Sequence, residues 1–267
     1  MNFKTWFAFV RSAWMFFVIV VKSGVDMYVH FIRDKIDHAH ESVQRGHFAE
    51  TQTKWGHQVF VGLERIMKMP VDFRLPNCWQ PQPVLYLLVH KSLVDIPRDW
   101  SLAWRMGTRN MRWVMKKSIR HYPILGWACF KSGCAFVTRK DRGRDKEIMK
   151  IFAETTRNDN ASIYLYVEGT RSDTSGKEAG FQHLGRPKAG GFIALREALP
   201  DLPVVIVVSR GLHFNATNRK IFGTGNFFGK RWTVDASWFI PAAEVLPTKE
   251  WLNDIWKKLD QSLDTES

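Results

Sequence analysis

A histidine and an aspartate with a spacing suited to proton transfer follow a strongly apolar segment. The segment VLYLLVH (84–90) ends on His90, and Asp95 follows after four intervening residues. A histidine at the carboxyl end of a buried strand lies where α/β folds usually place their sites. An aspartate a few residues on can bond the distal ring nitrogen, which fixes the tautomer and stabilises the imidazolium. His90 could then take a proton from a hydroxyl near neutral pH. A surface or helix-capping role is the alternative for such a pair.

Two further apolar segments end in arginine. SIYLYVE (162–168) runs directly into Glu-Gly-Thr-Arg (168–171), and Phe-Val-Thr-Arg (136–139) ends on Arg139. The glycine admits close backbone approach, and a guanidinium offers a planar fork for phosphate. A single arginine at a strand end is usually solvated or in a surface ion pair. Two of them beside a His/Asp pair indicate a hydroxyl acceptor that carries phosphate.

The elements that must position these residues alternate between strands and helices. Apolar runs typical of buried strands occur at 84–90, 113–116, 134–139, 162–168 and 202–209. Helices are predicted at 25–69, 93–107, 142–157, 188–198 and 248–262. The alternating segment WTVDASWFI (232–240) is expected at a sheet edge. This order predicts an α/β fold with a mostly parallel central sheet flanked by helices.

Composition restricts the class of partner. The 267 residues carry 39 Lys+Arg against 26 Asp+Glu, a formal net charge of +13, which implies nucleic acid, a phospholipid surface or an acidic carrier. The 19 Phe and 12 Trp favour the membrane. Most of the excess charge lies in 98–150, where the net charge is +10. Three irregularly spaced cysteines exclude a self-contained disulfide framework and indicate a reducing compartment.

The N-terminus is almost wholly apolar from Trp6 to Val21. As a helix these residues would span about 24 Å, against about 30 Å for the hydrocarbon core of a bilayer. A shallow interfacial anchor therefore fits best, with a short spanning helix and a buried core helix as alternatives. The chain is predicted to divide into an N-terminal helical membrane-anchoring region, 1–69, and an α/β domain, 70–267.

At this point the sequence resembles the glycerolipid acyltransferases, and within them the lysophosphatidate (1-acyl-glycerol-3-phosphate) acyltransferases of the PlsC type. The resemblance rests on HKSLVD (90–95), GCAFVTR (133–139), VEGTRS (167–172) and, in part, LPVVIVV (202–208). Between the first two blocks, VMKKSIRHYPILGW (114–127) resembles the basic segment of the family. Val89 and Ile206 depart from the usual Asn and Pro of the family, and both departures bear on which acceptor is used.

The resemblance implies a role for each matching position. His90 would be the general base that deprotonates the acceptor hydroxyl, and Asp95 would orient it. Arg139 and Arg171 would bind the acceptor phosphate. Lys116 would assist phosphate binding or stabilise the oxyanion.

The remaining matching positions would shape the substrate pocket. Gly169 and Thr170 would line the phosphate site, Glu168 would hold the arginines in place, and Phe136 would line the pocket from the second block. No metal and no cofactor are implied.

The implied reaction moves a fatty acyl group from a thioester, acyl-CoA or acyl carrier protein, to the free hydroxyl of 1-acyl-glycerol 3-phosphate. The product would be phosphatidic acid, in phospholipid biosynthesis. The expected location is the cytoplasmic face of a membrane, the bacterial inner membrane, with an anionic membrane surface and no nucleic acid as partner. The alternatives are another acceptor, such as glycerol 3-phosphate or another lysophospholipid, and a non-enzymatic basic protein that binds membranes or nucleic acid.

Overall fold

The computed structural model describes residues 3–169, 180–210 and 229–263. Seven strands form one sheet: β1 (Val71–Arg74), β2 (Leu85–Leu88), β3 (Met111–Lys116), β4 (Ala135–Val137), β5 (Ser162–Tyr166), β6 (Val204–Arg210) and β7 (Trp232–Ile240). Their order across the sheet is β1-β7-β6-β2-β5-β3-β4. Each neighbouring pair is parallel except β6 and β7. The predicted mostly parallel sheet is therefore confirmed.

Seven α-helices accompany the strands in the described part of the chain: α1 (Phe3–Ile36), α2 (Glu41–Ile66), α3 (Asp95–Arg105), α4 (Leu125–Lys131), α5 (Arg142–Asn158), α6 (Ala189–Ala198) and α7 (Lys249–Ser262). One core cluster joins α2, α3 and α4 to one face of the sheet, and a second joins α5, α6 and α7 to the other. Both faces are covered, which is why β2 is buried along its whole length and reads as an unbroken apolar run.

The prediction that 232–240 lies at a sheet edge is wrong. β7 pairs with β6 on one side and with β1 on the other, so β1, not β7, lies at this edge of the sheet. The polar Asp235 of β7 is buried and forms an ion pair with Arg210 of β6 at 3.4 Å. β1 itself has only four residues and alternates in burial, which leaves no apolar run to detect.

The N-terminal helix is longer than the predicted anchor. The apolar segment continues past Val21 as one helix to Ile36, 34 residues and about 51 Å in all. By length and composition its stretch Val10–Ile36, with a mean hydropathy of 1.6, could cross a membrane. The length of about 24 Å applies only to Trp6–Val21, because the helix continues through Lys22 and Ser23. α1 packs against α2, which in turn packs against α3.

Candidate active site

Four of the predicted site residues lie where parallel strands end. His90 follows β2, Gly169 follows β5, Lys116 ends β3 and Arg139 follows β4. Because these four strands are parallel and adjacent, their carboxyl ends meet at one edge of the sheet. This is the position at which open α/β sheets bind ligands.

His90 and Asp95 form the predicted pair. The Nδ1 atom of His90 lies 3.2 Å from Oδ2 of Asp95, and the Asp95 side chain is fully buried. An ionised carboxylate only accepts hydrogen bonds, so Nδ1 carries the proton and Nε2 has the free lone pair. Nε2 is therefore the nitrogen that can accept a proton.

The loop between the two residues holds Asp95 in place. The backbone N–H groups of Lys91 and Ser92 both donate to Oδ2 of Asp95, each at 2.6 Å, while Arg98 Nη1 donates to Oδ1 at 2.8 Å. Burial alone would raise the pKa of Asp95, but the charge of Arg98 and the hydrogen bond from His90 outweigh it, so the pKa lies below its usual value. Asp95 is therefore a carboxylate at neutral pH.

Two residues that were not predicted from the sequence, Tyr166 and Lys91, lie beside His90. The ring of Tyr166 stacks on the imidazole, with centroids 4.2 Å apart and planes inclined by 24°. Lys91 donates through Nζ to the carbonyl of His183, and burial lowers its pKa although Glu168 and Asp95 oppose that shift. Tyr164 and Tyr166 alternate in SIYLYVE, which is a signal that both lie on one face of β5, but the partner of Tyr166 depends on the strand register.

Arg139 is brought to the same edge by an unusual backbone turn. Its φ of 64° lies in the left-handed region, which is uncommon for a residue with a side chain. Asp145 holds this turn by accepting hydrogen bonds from the N–H groups of Thr138 at 2.8 Å and Arg139 at 2.6 Å. The guanidinium then donates through Nη1 to the carbonyl of Gly169.

Gly169 occupies a position that favours glycine. Its φ is 71°, and an added Cβ would lie 3.2 Å from Cδ of Lys188. The neighbouring Glu168 is buried, with Oε2 where it would lie 2.8 Å from a Cβ at Gly185. Arg139 and Lys188 thus place two cationic side chains beside Gly169, which is chemistry suited to a phosphate. The role of Glu168 in holding the arginines remains a prediction.

No hydrogen bond or ion pair with the His90–Asp95 pair is seen for the other two predicted residues that the structure describes. Lys116 is exposed at the end of β3, and Phe136 is buried in β4 within the core cluster. Thr170 and Arg171 lie outside the described residues, so their roles stay predictions. Within residues 3–169, 180–210 and 229–263, the structure has no cluster of three or more His, Cys, Asp or Glu side chains that could hold a metal.

Comparison with known proteins identifies the family of this chain. The family model described as "Acyltransferase" matches residues 67–209, more than half of the chain. The chain therefore belongs to the acyltransferase family. The matched range contains every predicted site residue, from His90 to Arg171.

Several individual proteins are similar to this chain in sequence. The chain is 34% identical over 140 residues to an uncharacterized acyltransferase of Schizosaccharomyces pombe, covering 51% of this chain and 45% of that protein. It is 27% identical over 197 residues to the 1-acyl-sn-glycerol-3-phosphate acyltransferase delta of Mus musculus, covering 66% of this chain and 51% of that protein. The chain thus spans about half the length of these relatives.

A solved structure shares the fold over nearly the whole chain. The 1-acyl-sn-glycerophosphate (LPA) acyltransferase PlsC from Thermotoga maritima superposes with a TM-score of 0.67 at 16% identity. The match covers 98% of this chain and 97% of that one. It includes the N-terminal helical region as well as the sheet.

Proposed function

We propose that this protein transfers a fatty acyl group from a thioester donor to the free hydroxyl of 1-acyl-glycerol 3-phosphate, giving phosphatidic acid. The observation that carries the proposal is the contact between Nδ1 of His90 and the buried carboxylate of Asp95, at the carboxyl edge of a parallel sheet. Membership of the acyltransferase family and the printed names of several relatives support it.

The reaction needs a base and no covalent enzyme intermediate. Nε2 of His90 accepts the proton of the acceptor hydroxyl as its oxygen attacks the thioester carbonyl carbon. The carbon–sulfur bond then breaks, and the thiolate takes the proton from the imidazolium. The products are an ester and a free thiol. Asp95 stabilises the imidazolium between these steps.

The charge at this edge of the sheet supports an acceptor that carries phosphate. Arg139 and Lys188 flank Gly169 at the same sheet edge as His90. A phosphate bound there would hold the glycerol hydroxyl near the base, and such positioning is a large part of catalytic power. Arg171, predicted for the same site, would add a third cation.

The reaction is proposed to occur at the cytoplasmic face of a membrane. The exposed apolar side chains of α1, such as Trp14 and Phe17, would contact lipid. The basic character of 98–150 would favour an anionic surface, although two of its arginines, Arg98 and Arg112, are buried against aspartates and do not face solvent. The donor is acyl-CoA or an acylated carrier protein.

Product identity tests this function. The full-length protein, in lipid vesicles, is offered labelled acyl-CoA or acyl carrier protein with one of three acceptors: 1-acyl-glycerol 3-phosphate, glycerol 3-phosphate and a lysophospholipid with a choline headgroup. We expect labelled phosphatidic acid from the first acceptor, at least about tenfold faster than product from the others. Transfer only to a different acceptor would overturn the acceptor assignment, and no transfer to any would overturn the function.

A further inference from the structure

Arg98 is a fully buried cation immediately behind the catalytic pair. Its guanidinium donates to Oδ1 of Asp95 at 2.8 Å and to Oδ1 of Asp99 at 2.6 Å, and it also contacts Ser209 of β6. The Arg98, Asp95 and Asp99 side chains are each no more than 1% exposed. Two carboxylates therefore share one cation in the interior.

The second carboxylate, Asp99, is connected to His90 through Tyr166. Oδ2 of Asp99 accepts a hydrogen bond at 2.6 Å from the hydroxyl of Tyr166, whose ring stacks on His90. The contacts from His90 through Asp95, Arg98, Asp99 and Tyr166 back to His90 therefore form a closed ring. We call these five side chains the closed network: His90, Asp95, Arg98, Asp99 and Tyr166.

We propose that Arg98, Asp99 and Tyr166 are positioning residues for acyl transfer, which fix the imidazole of His90 and match the charge around it to the imidazolium form. The inference rests on the proposed function. Asp95 fixes the edge of the imidazole and Tyr166 fixes its face, so neither tilt nor rotation of the ring is free. Arg98 and Asp99 tie these two contacts to each other.

Above about pH 6, where Asp99 is ionised, the charge of the closed network is balanced only when His90 is protonated. With neutral His90, Asp95 and Asp99 contribute two negative charges against the single positive charge of Arg98. The imidazolium formed during transfer brings the sum to zero. A buried cluster of charges is weak support for stability, because desolvation offsets its attraction. An unbalanced cluster beside a base is instead suited to stabilising the protonated base.

The pKa of Asp99 sets the pH range in which it carries its negative charge. Burial raises its pKa to about 6 although Arg98 opposes the shift. The fold therefore keeps a carboxylate where burial disfavours its ionisation. Its bond from Tyr166 and its bond from Arg98 are both made to the charged form.

Three substitutions in the full-length protein test the proposal. Tyr166→Phe removes one hydroxyl and keeps the stacked ring, and Asp99→Asn removes one charge with little change of shape. Tyr86→Phe is the matched control, because this equally aromatic, fully buried residue of β2 bonds Thr108 and lies outside the closed network. Measured are kcat, KM for both substrates, the pH profile of kcat and thermal unfolding.

We expect Tyr166→Phe to lower kcat about tenfold with KM within about twofold, as for a loss confined to the transition state. Asp99→Asn should move the acidic limb of the kcat profile to lower pH, because removal of a negative charge destabilises the imidazolium. Tyr86→Phe should change the temperature of unfolding but leave kcat and its pH profile unchanged.

The outcomes separate the two proposals. Wild-type protein that transfers no acyl group would overturn the proposed function and this inference with it. The inference alone would be overturned by a different result. In that case the wild type is active, but Tyr166→Phe and Asp99→Asn are both indistinguishable from Tyr86→Phe in kcat and in the pH profile of kcat. If one of these two variants does not fold, the other is compared with Tyr86→Phe by itself, and its being indistinguishable overturns the inference.

Discussion

The carboxylate of Asp145 accepts the backbone N–H of Arg139 at 2.6 Å and so holds a turn that a residue with a side chain seldom adopts. Asp145 lies in the first turn of α5, six residues beyond Arg139. The helix therefore fixes the backbone from which the Arg139 guanidinium reaches the carbonyl of Gly169. Asp145 thereby sets the direction of Arg139, which is predicted to bind phosphate.

Asp145→Asn should weaken binding of the phosphorylated acceptor. The amide offers one acceptor oxygen where the carboxylate has two, so one of its backbone hydrogen bonds is lost. A charged hydrogen bond contributes about 1.5–3 kcal/mol. We expect KM for the acceptor to rise about tenfold or more, with KM for the acyl donor unchanged, in steady-state assays that vary each substrate.

Asp141→Asn provides the control for this change. Asp141 caps the same helix by accepting from the N–H of Arg144 at 3.0 Å, and asparagine caps a helix about equally well. Its acceptor KM should equal that of the wild type. Equal KM values in both variants would contradict the role assigned to Asp145.

The contact between α2 and α3 predicts a contrast between two glycines of one helix. A Cβ at Gly56 would lie 2.3 Å from Cβ of Trp100, whereas a Cβ at Gly46 would meet nothing within 4 Å. Gly56→Ala should therefore destabilise the protein by about 1–3 kcal/mol through overpacking. Gly46→Ala should stabilise it by about 0.5–1 kcal/mol. Denaturant titration measures both, and a shift of the same sign in both variants would refute the packing argument.

Stability should depend on the ionisation of Asp99. Its pKa is raised from 3.8 to about 6 in the folded protein, so the folded state binds the proton more tightly than the unfolded chain. The associated stability is fully present below pH 3.8 and is lost as the pH rises through 6. Between pH 5 and pH 7.5 the free energy of unfolding of Asp99→Asn should gain about 1–2 kcal/mol relative to the wild type. A pH-independent difference would show that Asp99 does not titrate in this range.

The exposed aromatic side chains of α1 predict lipid binding. Trp14 is 67% exposed and Phe17 58%, and their rings lie 6.0 Å apart. Trp14→Asp and Phe17→Asp should each lower co-sedimentation with anionic vesicles about tenfold or more, because each loses a large buried apolar area in the bound state. Leu246→Asp, at a residue 55% exposed near α7, is the control and should have no effect. An equal loss in the control would reject α1 as the contact surface.

Local patterns in the sequence were sufficient to predict the central strands and the first pair of site residues. The central strands are buried on both faces, so β2 and β5 appear as apolar runs whatever their neighbours. His90 and Asp95 are joined by one short loop, so their contact needs no knowledge of the sheet. The edge strand β1 and the helix α4 were missed because each is short and carries no clear periodicity.

Local sequence patterns do not predict the closed network. Arg98 and Asp99 are charged residues in a basic segment, where a solvated face is the usual outcome. Their burial depends on β5 and β6, which lie more than 60 residues further along the chain. Only the register that brings Tyr166 beside His90 turns these separate residues into one arrangement.

The central claim is that His90 is the base of an acyl transfer reaction. The direct measurement is thiol release from acyl-CoA in the presence of 1-acyl-glycerol 3-phosphate by wild type and by His90→Ala, with far-ultraviolet circular dichroism and thermal unfolding recorded on the same samples. We predict that His90→Ala loses at least about 10²-fold in kcat while the folded spectrum and cooperative unfolding persist. A folded His90→Ala variant that turns over at the wild-type rate would contradict the mechanism.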